Sequence, residues 1–387
     1  MLAALATVPA AAQLPDTSGV IAERARDEDL PPWRTSWFPR LTAGSNDGPV
    51  LAVRLRHFQQ ALYDDRVRHT GELTAEAGAS LHGSRYLALG WHAPRLARGW
   101  RAGAQLAATR ENRYGWFGLG AEAAPGFPPA APPPAGADVT FANRVRRTRY
   151  VARAEVTRRV AAPWLRVAVS AEAVAARWSA LPGAARFAAE QGAALAQDDL
   201  AARAAIVVDT RDTEFNPASG VLLEAGAQRG TGGSGYTRVY GIARGWLRLG
   251  EGMTLAARAA GSRLTGGPTL DARFTLPGWD RPLEVLGNEG SHRALAAGRF
   301  GGTGLVLANA ELRWEPLFLG DLGGLVVAPF LDAGRTFEGS WSLTTDRLVV
   351  GGGVAVGARL LRDAVTLVNV ATGPDGARVT VSYGWMF

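Results

Sequence analysis

The residues able to do catalytic or metal chemistry are few, and their spacing does not assemble an active site. The chain has no cysteine, which excludes thiolate metal sites and disulfides. None of its five histidines occurs in the H-E-x-x-H spacing that places two imidazoles on one helix face. His82 and His92 fall on neighbouring predicted strands, but two imidazoles without a third ligand rarely hold a metal ion. We therefore predict neither a metal site nor a cofactor.

Nucleophilic catalysis lacks its usual sequence signals as well. The G-x-S-x-G turn of serine hydrolases does not occur. Ser291 and His292 are adjacent in sequence, but a catalytic base must reach its nucleophile in space and needs a third group to orient it. The stretch GGGVAVG at residues 351–357 continues a strand pattern without a following helix, so it indicates close strand approach rather than a phosphate loop. We predict that the protein is not an enzyme.

The basic residues are all arginine, 42 of them, because the chain has no lysine, and the formal net charge is +7. Two interpretations stay open, namely codon bias and a surface or lumen lined by arginine. The arginines are scattered along strand-like segments and form no basic run, zinc finger or helix-turn-helix spacing. We therefore predict no nucleic-acid partner.

Apolar residues alternate with polar or small ones along most of the chain, and this period of two is typical of half-buried β-strands. In the stretch LRVAVSAEAVA, Leu165, Val167 and Val169 share one face. Arg166 and Ser170 share the other face. No long segment shows the period of an α-helix, so the sequence predicts an all-β protein.

Three features favour a membrane barrel over a soluble β-sandwich. Many strands reach about ten residues, the length that a tilted strand needs to cross the hydrocarbon core. The chain has 12 tryptophans, and several lie at strand ends, as an interfacial girdle requires. The second strand face is rich in small and charged residues, which suit a watery lumen. We predict a 16-stranded antiparallel transmembrane β-barrel in the bacterial outer membrane.

The predicted strands number sixteen, and a closed antiparallel barrel requires an even number. They span residues 37–43, 48–60, 69–82, 84–94, 100–112, 142–160, 164–178, 200–211, 219–229, 237–249, 253–265, 303–315, 324–337, 347–360, 363–372 and 377–387. The connections on one side are mostly short. The longer ones, at 124–137, 181–199 and 266–302, fall on the other side and predict exposed loops there.

The two ends of the chain have distinct patterns. Residues 1–12 are apolar, end in three alanines and resemble a secretory signal peptide, followed by a charged periplasmic tail at 13–36 and the barrel at 37–387. The chain stops at VTVSYGWMF, which alternates like a strand. Because a closed barrel pairs its last strand with its first, such a strand leaves no exposed edge. We expect its aromatic residues to face lipid.

Four segments together resemble the BamA/TamA, or bacterial surface antigen, family of outer-membrane barrels. They are VVDTRDTEFNPASG, then GSHRALAAGRFGG in the long loop before the twelfth strand, then FLDAGRTF, and finally the terminal strand. The matching positions are Asp209, Arg211, Asp212, Pro217 and Gly220; Arg293, Gly298, Arg299 and Phe300; Phe330, Asp332 and Gly334; and Tyr383, Trp385 and Phe387. The resemblance covers about residues 36–387 and rests on the order and spacing of the segments.

The resemblance implies a contact between the long loop and the barrel wall. In the family this loop carries a hydrophobic-Arg-Gly-aromatic tetrad. Here Arg293 is kept, whereas Ala294 and Leu295 stand in place of the glycine and the aromatic residue. The resemblance implies that Arg293 pairs with Asp332 inside the barrel, with Glu311 as a second acceptor. A guanidinium can hold a carboxylate through two parallel hydrogen bonds, which fixes the orientation of the loop.

The resemblance also bears on partners. It implies that outer-membrane assembly machinery reads Tyr383, Trp385 and Phe387 as the signal for inserting this barrel. Family members that insert proteins carry POTRA domains before the barrel, and residues 13–36 are too short to form one. We expect the surroundings of the barrel to be outer-membrane lipid and lipopolysaccharide.

Three functions remain open on the sequence alone. The leading expectation is insertion or translocation of an unfolded protein or a lipid at the outer membrane, through a weakly paired seam between residues 37–43 and 377–387. The first alternative is a passive, arginine-lined pore that favours small anions. The second is a surface-exposed structural or binding protein whose loops 124–137 and 181–199 contact a ligand outside the cell.

Overall fold

The computed structural model describes residues 30–44, 48–120, 141–183, 185–279, 282–284, 286–339, 347–362 and 364–387. The expected signal segment 1–12, the tail 13–36 up to residue 29, and the Pro-rich loop 124–137 lie outside these residues. Across the described part of the chain, sixteen long antiparallel strands close into one barrel, which confirms the predicted fold class.

The barrel strands follow one another around the wall in chain order. The elements are β1 (Arg34–Gly44), β2 (Gly48–Gln60), β3 (His69–Ser80), β4 (Arg85–Ala97), β5 (Trp100–Gly115), β6 (Arg144–Arg159), β7 (Leu165–Ala180), α1 (Ala185–Gln191), β8 (Ala194–Asp209), β9 (Gly220–Gly230), β10 (Gly235–Gly250), β11 (Met253–Gly267), α2 (Leu270–Arg273), β12 (Thr275–Leu276), β13 (Leu283–Glu284), β14 (Gly304–Phe318), β15 (Gly323–Phe337), β16 (Val349–Leu360), β17 (Ala364–Gly373) and β18 (Gly376–Tyr383). The short strands β12 and β13 pair with each other and are not part of the barrel wall. No helix in the described ranges has the length and apolar composition that crossing a bilayer would require.

Side chains on each barrel strand alternate between the lipid and the lumen. On β15, Leu325 and Leu331 are 53% and 55% exposed, whereas Val326 and Asp332 are 0% exposed. The outward residues are apolar because they meet acyl chains, and the inward face can hold polar residues because other polar groups lie across the lumen. The alternation read from the sequence is therefore the alternation of the barrel wall.

One connection of the chain occupies much of the lumen in the described structure, and cavities of about 350 and 590 Å³ remain beside it. The connection between β11 and β14, residues 268–303, folds into the barrel and carries α2 and the β12–β13 hairpin with it. Leu286, Leu295 and Phe300 of this connection are buried against Leu305 and Leu307 of β14. We call residues 268–303 the lumen loop. Its apolar side chains give the barrel a packed core.

The predicted strand boundaries differ most at β8. This strand begins at Ala194 rather than at residue 200, and α1 occupies part of the predicted open loop 181–199. The prediction missed the outer end of β8 because Leu195 is the one large apolar residue in 194–199, and the Ala, Gln and Asp residues around it leave no repeated alternation. The first strand also begins three residues early, at Arg34.

The chain end differs from the expectation more seriously. β18 ends at Tyr383, and Gly384 has a φ of +82°, a left-handed conformation that glycine adopts without a steric penalty. Successive side chains point to opposite faces only while the backbone stays extended. After Tyr383 the alternation in the sequence therefore no longer predicts which way a side chain points. Trp385 and Phe387 are each 8% exposed, in buried clusters inside the barrel. The expectation that these two aromatic residues face lipid is wrong.

Candidate functional site

The lumen loop is fixed to the barrel wall through Arg293. The Arg293 Nε and Nη2 donate to the Asp332 Oδ2 and Oδ1 at 3.0 and 2.9 Å, and its backbone N–H donates to Oδ2 at 2.9 Å. The Arg293 Nη1 donates to the Glu311 Oε2 at 2.9 Å. All three side chains are buried, with 3%, 0% and 3% exposure for Arg293, Asp332 and Glu311. The structure thus places these three sequence-predicted residues in one network.

The neighbours of Asp332 on the inward face of β15 contact the same loop. The guanidinium carbon of Arg293 lies 3.5 Å from the centroid of the Phe330 ring, a cation–π arrangement. At Gly334, a Cβ atom would lie 2.4 Å from the Leu286 Cδ2, so a side chain there would collide with the loop. Phe330, Asp332 and Gly334 therefore form one docking face for the lumen loop.

Two further residues of the network were not predicted from the sequence. The Asn309 Nδ2 donates to the Asp332 Oδ1 at 2.8 Å and to the Ser291 carbonyl at 2.7 Å. The Arg313 Nε donates to the Glu311 Oε1 at 2.8 Å. Asn309, Glu311 and Arg313 occupy alternate positions on β14, and this run of inward polar residues is the signal that could have revealed them.

The chain end joins this network. The Arg313 Nη2 donates to the Phe387 carbonyl oxygen at 2.5 Å, and the Arg313 guanidinium lies 4.4 Å from the Trp385 ring centroid. The Trp385 Nε1 donates to the Asn216 Oδ1 at 2.6 Å. The four residues after β18 therefore link β14 to the turn between β8 and β9.

That turn, residues 210–219, contains the first family segment. The Arg211 Nε and Nη2 donate to the two carboxylate oxygens of Asp209 at 3.0 and 3.1 Å. The Asp212 Oδ1 accepts the backbone N–H of Ala218 at 3.0 Å. Gly220 has a φ of +101°, and a Cβ there would lie 2.4 Å from a backbone oxygen, so glycine is required. The pattern is thus a compact turn held by its own carboxylates.

Two contacts tie the turn to the inside of the barrel. The Pro217 carbonyl accepts from the Arg313 Nη1 at 3.5 Å. The two carboxylate oxygens of Glu214 accept from the Arg101 Nη1 and Nη2, both at 2.6 Å. Burial alone would raise the pKa of the Glu214 carboxyl, but the Arg101 guanidinium outweighs burial and lowers this pKa to about 2. No sequence pattern indicates this pair, because Arg101 and Glu214 are far apart in the chain.

The substitution Glu214→Gln should remove a pH-dependent part of the stability. Because the pKa of Glu214 falls from its ordinary value of 4.5 to about 2, its stabilising effect is complete above pH 4.5 and is lost as the pH falls towards 2. We expect the wild-type protein to be more stable at pH 6, with the difference shrinking below pH 4.5. Urea unfolding in vesicles at several pH values measures it. The exposed Glu251→Gln is the matched control, and a pH-independent difference for Glu214→Gln would contradict the assignment.

The Gly298-Arg299-Phe300 stretch anchors the other end of the lumen loop. Gly298 has a φ of +70° and turns the chain, and Phe300 is 2% exposed in the core. The Arg299 Nε donates to the Asp375 Oδ1 at 3.1 Å, and the Arg299 guanidinium lies 4.4 Å from the Phe117 ring centroid. Asp375 lies between β17 and β18, so Arg299 connects the loop to the last hairpin of the barrel.

Ala294 stands where the family has glycine. Its methyl group packs against two glycines of the barrel wall. A Cβ at Gly351 would lie 2.4 Å from the Ala294 Cβ, and one at Gly373 would lie 2.8 Å from it. Gly351 and Gly373 thus let the loop approach the wall closely, whereas the glycine run on β16 was predicted from the sequence to serve close approach between strands.

The substitution Gly351→Val should push the lumen loop away from the wall. Its added atoms would overlap Ala294, and overpacking of this kind typically costs about 1–3 kcal/mol. We expect a lower urea midpoint in vesicles and faster protease cleavage within residues 286–300. Gly352→Val is the matched control, since position 352 faces outward and its Cβ would meet no atom closer than 3.3 Å. Equal effects of the two substitutions would contradict the close approach.

The outer mouth of the barrel is closed by aromatic residues. Tyr114, Trp116, Trp178, Phe187 and Phe274 form one buried cluster between the wall, α1 and the lumen loop. We call it the outer aromatic cluster. Its rings contact one another mostly edge to face, with the centroids of Trp116 and Phe187 5.1 Å apart. A buried guanidinium, that of Arg147, lies 3.5 Å from the Tyr114 ring centroid and donates to Glu111 and Glu284 at 2.6 and 2.5 Å.

The barrel closes at a weak seam between β1 and β18. Among the described residues, the ladder joins these strands at a single pair, Ala43 with Val381, whereas β1 pairs with β2 along its whole length. The Tyr383 hydroxyl accepts the Leu41 N–H and donates to the Leu41 carbonyl, both at 3.1 Å. A side chain therefore occupies ladder positions on β1 that a neighbouring strand backbone would otherwise fill.

The histidines and Ser291 do not form a reactive centre. The Ser291 Oγ donates to the Asn288 Oδ1 at 3.2 Å, and the His292 Nε2 lies 3.2 Å from the Val349 carbonyl oxygen. His82 lies in the turn after β3 rather than on a strand beside His92. Within the described ranges, no group of three or more His, Cys, Asp or Glu side chains is placed to hold a metal ion.

Comparison with solved structures finds barrels of the same architecture. BamA from Haemophilus ducreyi lacking POTRA domains 1–3 is 11% identical with a TM-score of 0.56, over 90% of this chain and 69% of that one. CdiB from Escherichia coli is 11% identical with a TM-score of 0.59, over 91% and 62% of the two chains. CdiB from Acinetobacter baumannii is 10% identical with a TM-score of 0.51, over 90% and 59%. The chain thus spans less than two thirds of either CdiB chain.

The family is shown by sequence. Residues 70–362, most of the barrel, match the Omp85 superfamily domain. No curated protein matches the chain. The filled lumen, the loop held at Arg293 and the matched domain agree with one another, and the chain belongs to the Omp85 superfamily of bacterial outer-membrane β-barrels.

Proposed function

We propose that this barrel inserts or translocates a polypeptide or a lipid at the outer membrane by opening laterally between β1 and β18. The observation that carries the proposal is the seam, where the described ladder holds one pair, Ala43 with Val381. Each backbone hydrogen bond missing from a ladder removes about 0.5–1.5 kcal/mol of net stabilisation, so this junction is the easiest one in the wall to separate. Membership of the Omp85 superfamily supports transport into or across the outer membrane.

Tyr383 and the chain end favour a seam that closes and reopens. The Tyr383 hydroxyl satisfies the Leu41 N–H and C=O without a continuous ladder, and the Arg40 guanidinium lies 4.6 Å from the Tyr383 ring centroid. A few side-chain hydrogen bonds are broken more readily than a ladder of ten residues. After Gly384 the chain leaves the wall, so β18 offers β1 a short edge.

The filling of the lumen weighs against a straight channel. The lumen loop occupies the barrel interior and the outer aromatic cluster covers its outer end, so the described structure favours a sideways route over the anion pore. The third alternative, ligand binding by the outer loops, gains no support from loop 181–199. Its helix α1 places Phe187 in the outer aromatic cluster.

The partners follow from the proposed route. An edge strand that becomes unpaired presents backbone donors and acceptors to any extended chain, so an unfolded outer-membrane protein is the substrate that fits β1 and β18 best. A lipid could pass through the same opening. Recognition of Tyr383, Trp385 and Phe387 by assembly machinery stays a proposal. In the folded barrel Trp385 and Phe387 are buried, so recognition would take place before folding.

A disulfide across the seam tests the proposal. The chain has no cysteine, so in the double variant A43C/V381C the two introduced thiols can pair with each other alone. Residues directly paired across a ladder satisfy the Cα separation of about 4.4–6.8 Å that a disulfide needs. We expect the reduced protein in liposomes to accelerate folding of a urea-unfolded small outer-membrane barrel. Oxidation should abolish the acceleration, and a reductant should restore it.

The matched control is L41C/L51C, which joins β1 to β2 at another directly paired position facing lipid. Because Leu41 contacts Tyr383, the second control W37C/L55C, also directly paired and facing lipid, joins β1 to β2 away from the seam, and acceleration should survive its oxidation. Absence of acceleration in the wild-type protein, or acceleration that persists with the seam locked, would refute lateral insertion. Steady conductance with anion preference in planar bilayers would then support the pore.

A further inference from the structure

Three arginines gather on the outside of the barrel, at the outer ends of three neighbouring strands. Arg85 begins β4, Arg110 lies near the end of β5, and Arg146 lies near the start of β6. Arg85 and Arg110 are direct cross-strand partners. The Nε atoms of Arg110 and Arg146 both donate to the Asn112 Oδ1, at 3.2 and 3.3 Å. We call these residues the outer arginine cluster.

The charges of this cluster are not balanced within the described residues. None of the three guanidiniums has an ion-pair partner there, and the acceptor that Arg110 and Arg146 share is the neutral amide oxygen of Asn112. The neighbouring carboxylate of Glu111 points the other way and pairs with Arg147 in the lumen. Like charges that face each other directly across strands are destabilising, so the arrangement favours an external anion between them.

The cluster lies on the lipid-facing side of its strands. Arg85 shares its face of β4 with Leu87 and Leu89, which are 50% and 44% exposed. Arg110 shares the outward face of β5 with Leu106, which is 55% exposed. A patch of positive charge therefore stands directly above apolar wall, which is the amphipathic profile of a lipid with an anionic head group.

The cluster lies at the outer end of the wall. Arginines on the outward face occur near the outer ends of several strands, at positions 85, 110, 146, 177, 229, 263 and 335. Exposed arginines also occur at the periplasmic ends of β4 to β6, at positions 98, 158 and 159, and the Arg158 guanidinium lies 4.7 Å from the Trp100 ring centroid. The position of Arg85, Arg110 and Arg146 at the outer strand ends therefore places this cluster at the level of the outer leaflet.

We propose that the outer arginine cluster binds a phosphate group of an outer-leaflet lipid, a phosphorylated glycolipid such as lipid A. The three guanidiniums hold the phosphate oxygens, because arginine offers a planar fork of donors that matches phosphate. The acyl chains lie along Leu87, Leu89 and Leu106. The inference stands apart from the proposed lateral opening, since the cluster lies on β4 to β6 and the seam lies between β1 and β18.

The test is binding of bisphosphorylated lipid A to the purified full-length chain in a neutral detergent, followed by native mass spectrometry. We expect the triple variant R85Q/R110Q/R146Q to bind at least about tenfold more weakly. The variant R158Q/R229Q/R263Q removes three outward guanidiniums that are not clustered, and it should retain affinity within about threefold.

Three results would overturn the proposal. Equal weakening in the two triple variants would mean general attraction of anions rather than a site. Undiminished binding of dephosphorylated lipid A would remove the phosphate from the interaction. Competition by inorganic phosphate at the same concentration as lipid A would show that the lipid chains contribute nothing. If the triple variant does not fold, the single variant R85Q, at an exposed position, should still weaken binding about threefold, and no change there would equally refute the site.

Discussion

Replacing Arg293 with alanine is expected to lower the free energy of unfolding by about 3–5 kcal/mol, the usual cost of removing one partner from a buried ion pair. The substitution leaves Asp332 and Glu311 in a lumen where they are 0% and 3% exposed. Their negative charges then lose the guanidinium that both of them share. Unfolding by urea in lipid vesicles, followed by tryptophan fluorescence, measures the change.

Two further variants test whether the loss comes from the hydrogen-bond geometry of Arg293 or from the unpaired carboxylates. Arg293→Lys keeps the charge but cannot reproduce the two parallel hydrogen bonds to Asp332, so an intermediate loss is expected. Replacing Arg293 and Asp332 together, as R293M/D332L, leaves Glu311 paired with Arg313 and should restore much of the stability. A loss below about 1 kcal/mol for Arg293→Ala would mean that solvent reaches the carboxylates, and the buried network would be disproved.

Trp116→Ala is expected to destabilise the protein by about 3–5 kcal/mol and to open the outer mouth of the barrel. Trp116 is 0% exposed, and its ring contacts Trp178, Phe187 and Phe274 in the outer aromatic cluster. Its Nε1 donates to the Glu190 Oε2 at 3.0 Å, so the substitution also releases helix α1 from the wall. Planar-bilayer conductance should therefore rise above the low wild-type value.

Trp37→Ala is the matched control for this experiment. Trp37 is 70% exposed on the lipid-facing side of β1, so its truncation removes no packed neighbours from the lumen. We expect a small change in stability and no change in conductance. If the wild-type barrel already conducts steadily and Trp116→Ala adds nothing, the outer aromatic cluster does not close the barrel, and the passive pore regains support.

The barrel wall could be predicted from the sequence because its physics is local. Residues two apart on a strand face the same solvent, so Leu325 and Leu331 reveal a lipid face without knowledge of any partner. The polar residues Asn309, Glu311 and Arg313, two apart on β14, likewise indicate the inward face of that strand. The prediction failed at residues 194–199, where Leu195 is the one large apolar residue and no alternation repeats.

The contents of the lumen were accessible only in part. The contact of Arg293 with Asp332 was expected from the family resemblance, and the structure brings the two together. Nothing in the sequence indicated that Glu214 would reach Arg101, or that Arg110 and Arg146 would share Asn112, because these pairs join separate strands.

Alternation along the chain was enough to predict a barrel, its sixteen wall strands and the apolar face that meets lipid. The inward turn of the chain end at Gly384, the bridge from Tyr383 to β1, and the loop and aromatic residues inside the lumen became visible in the folded structure. The two groups of features differ in the distance along the chain over which their causes act. Alternation is set by the backbone of one strand, whereas burial of Trp385 or Phe387 depends on what the rest of the chain has already placed inside the barrel.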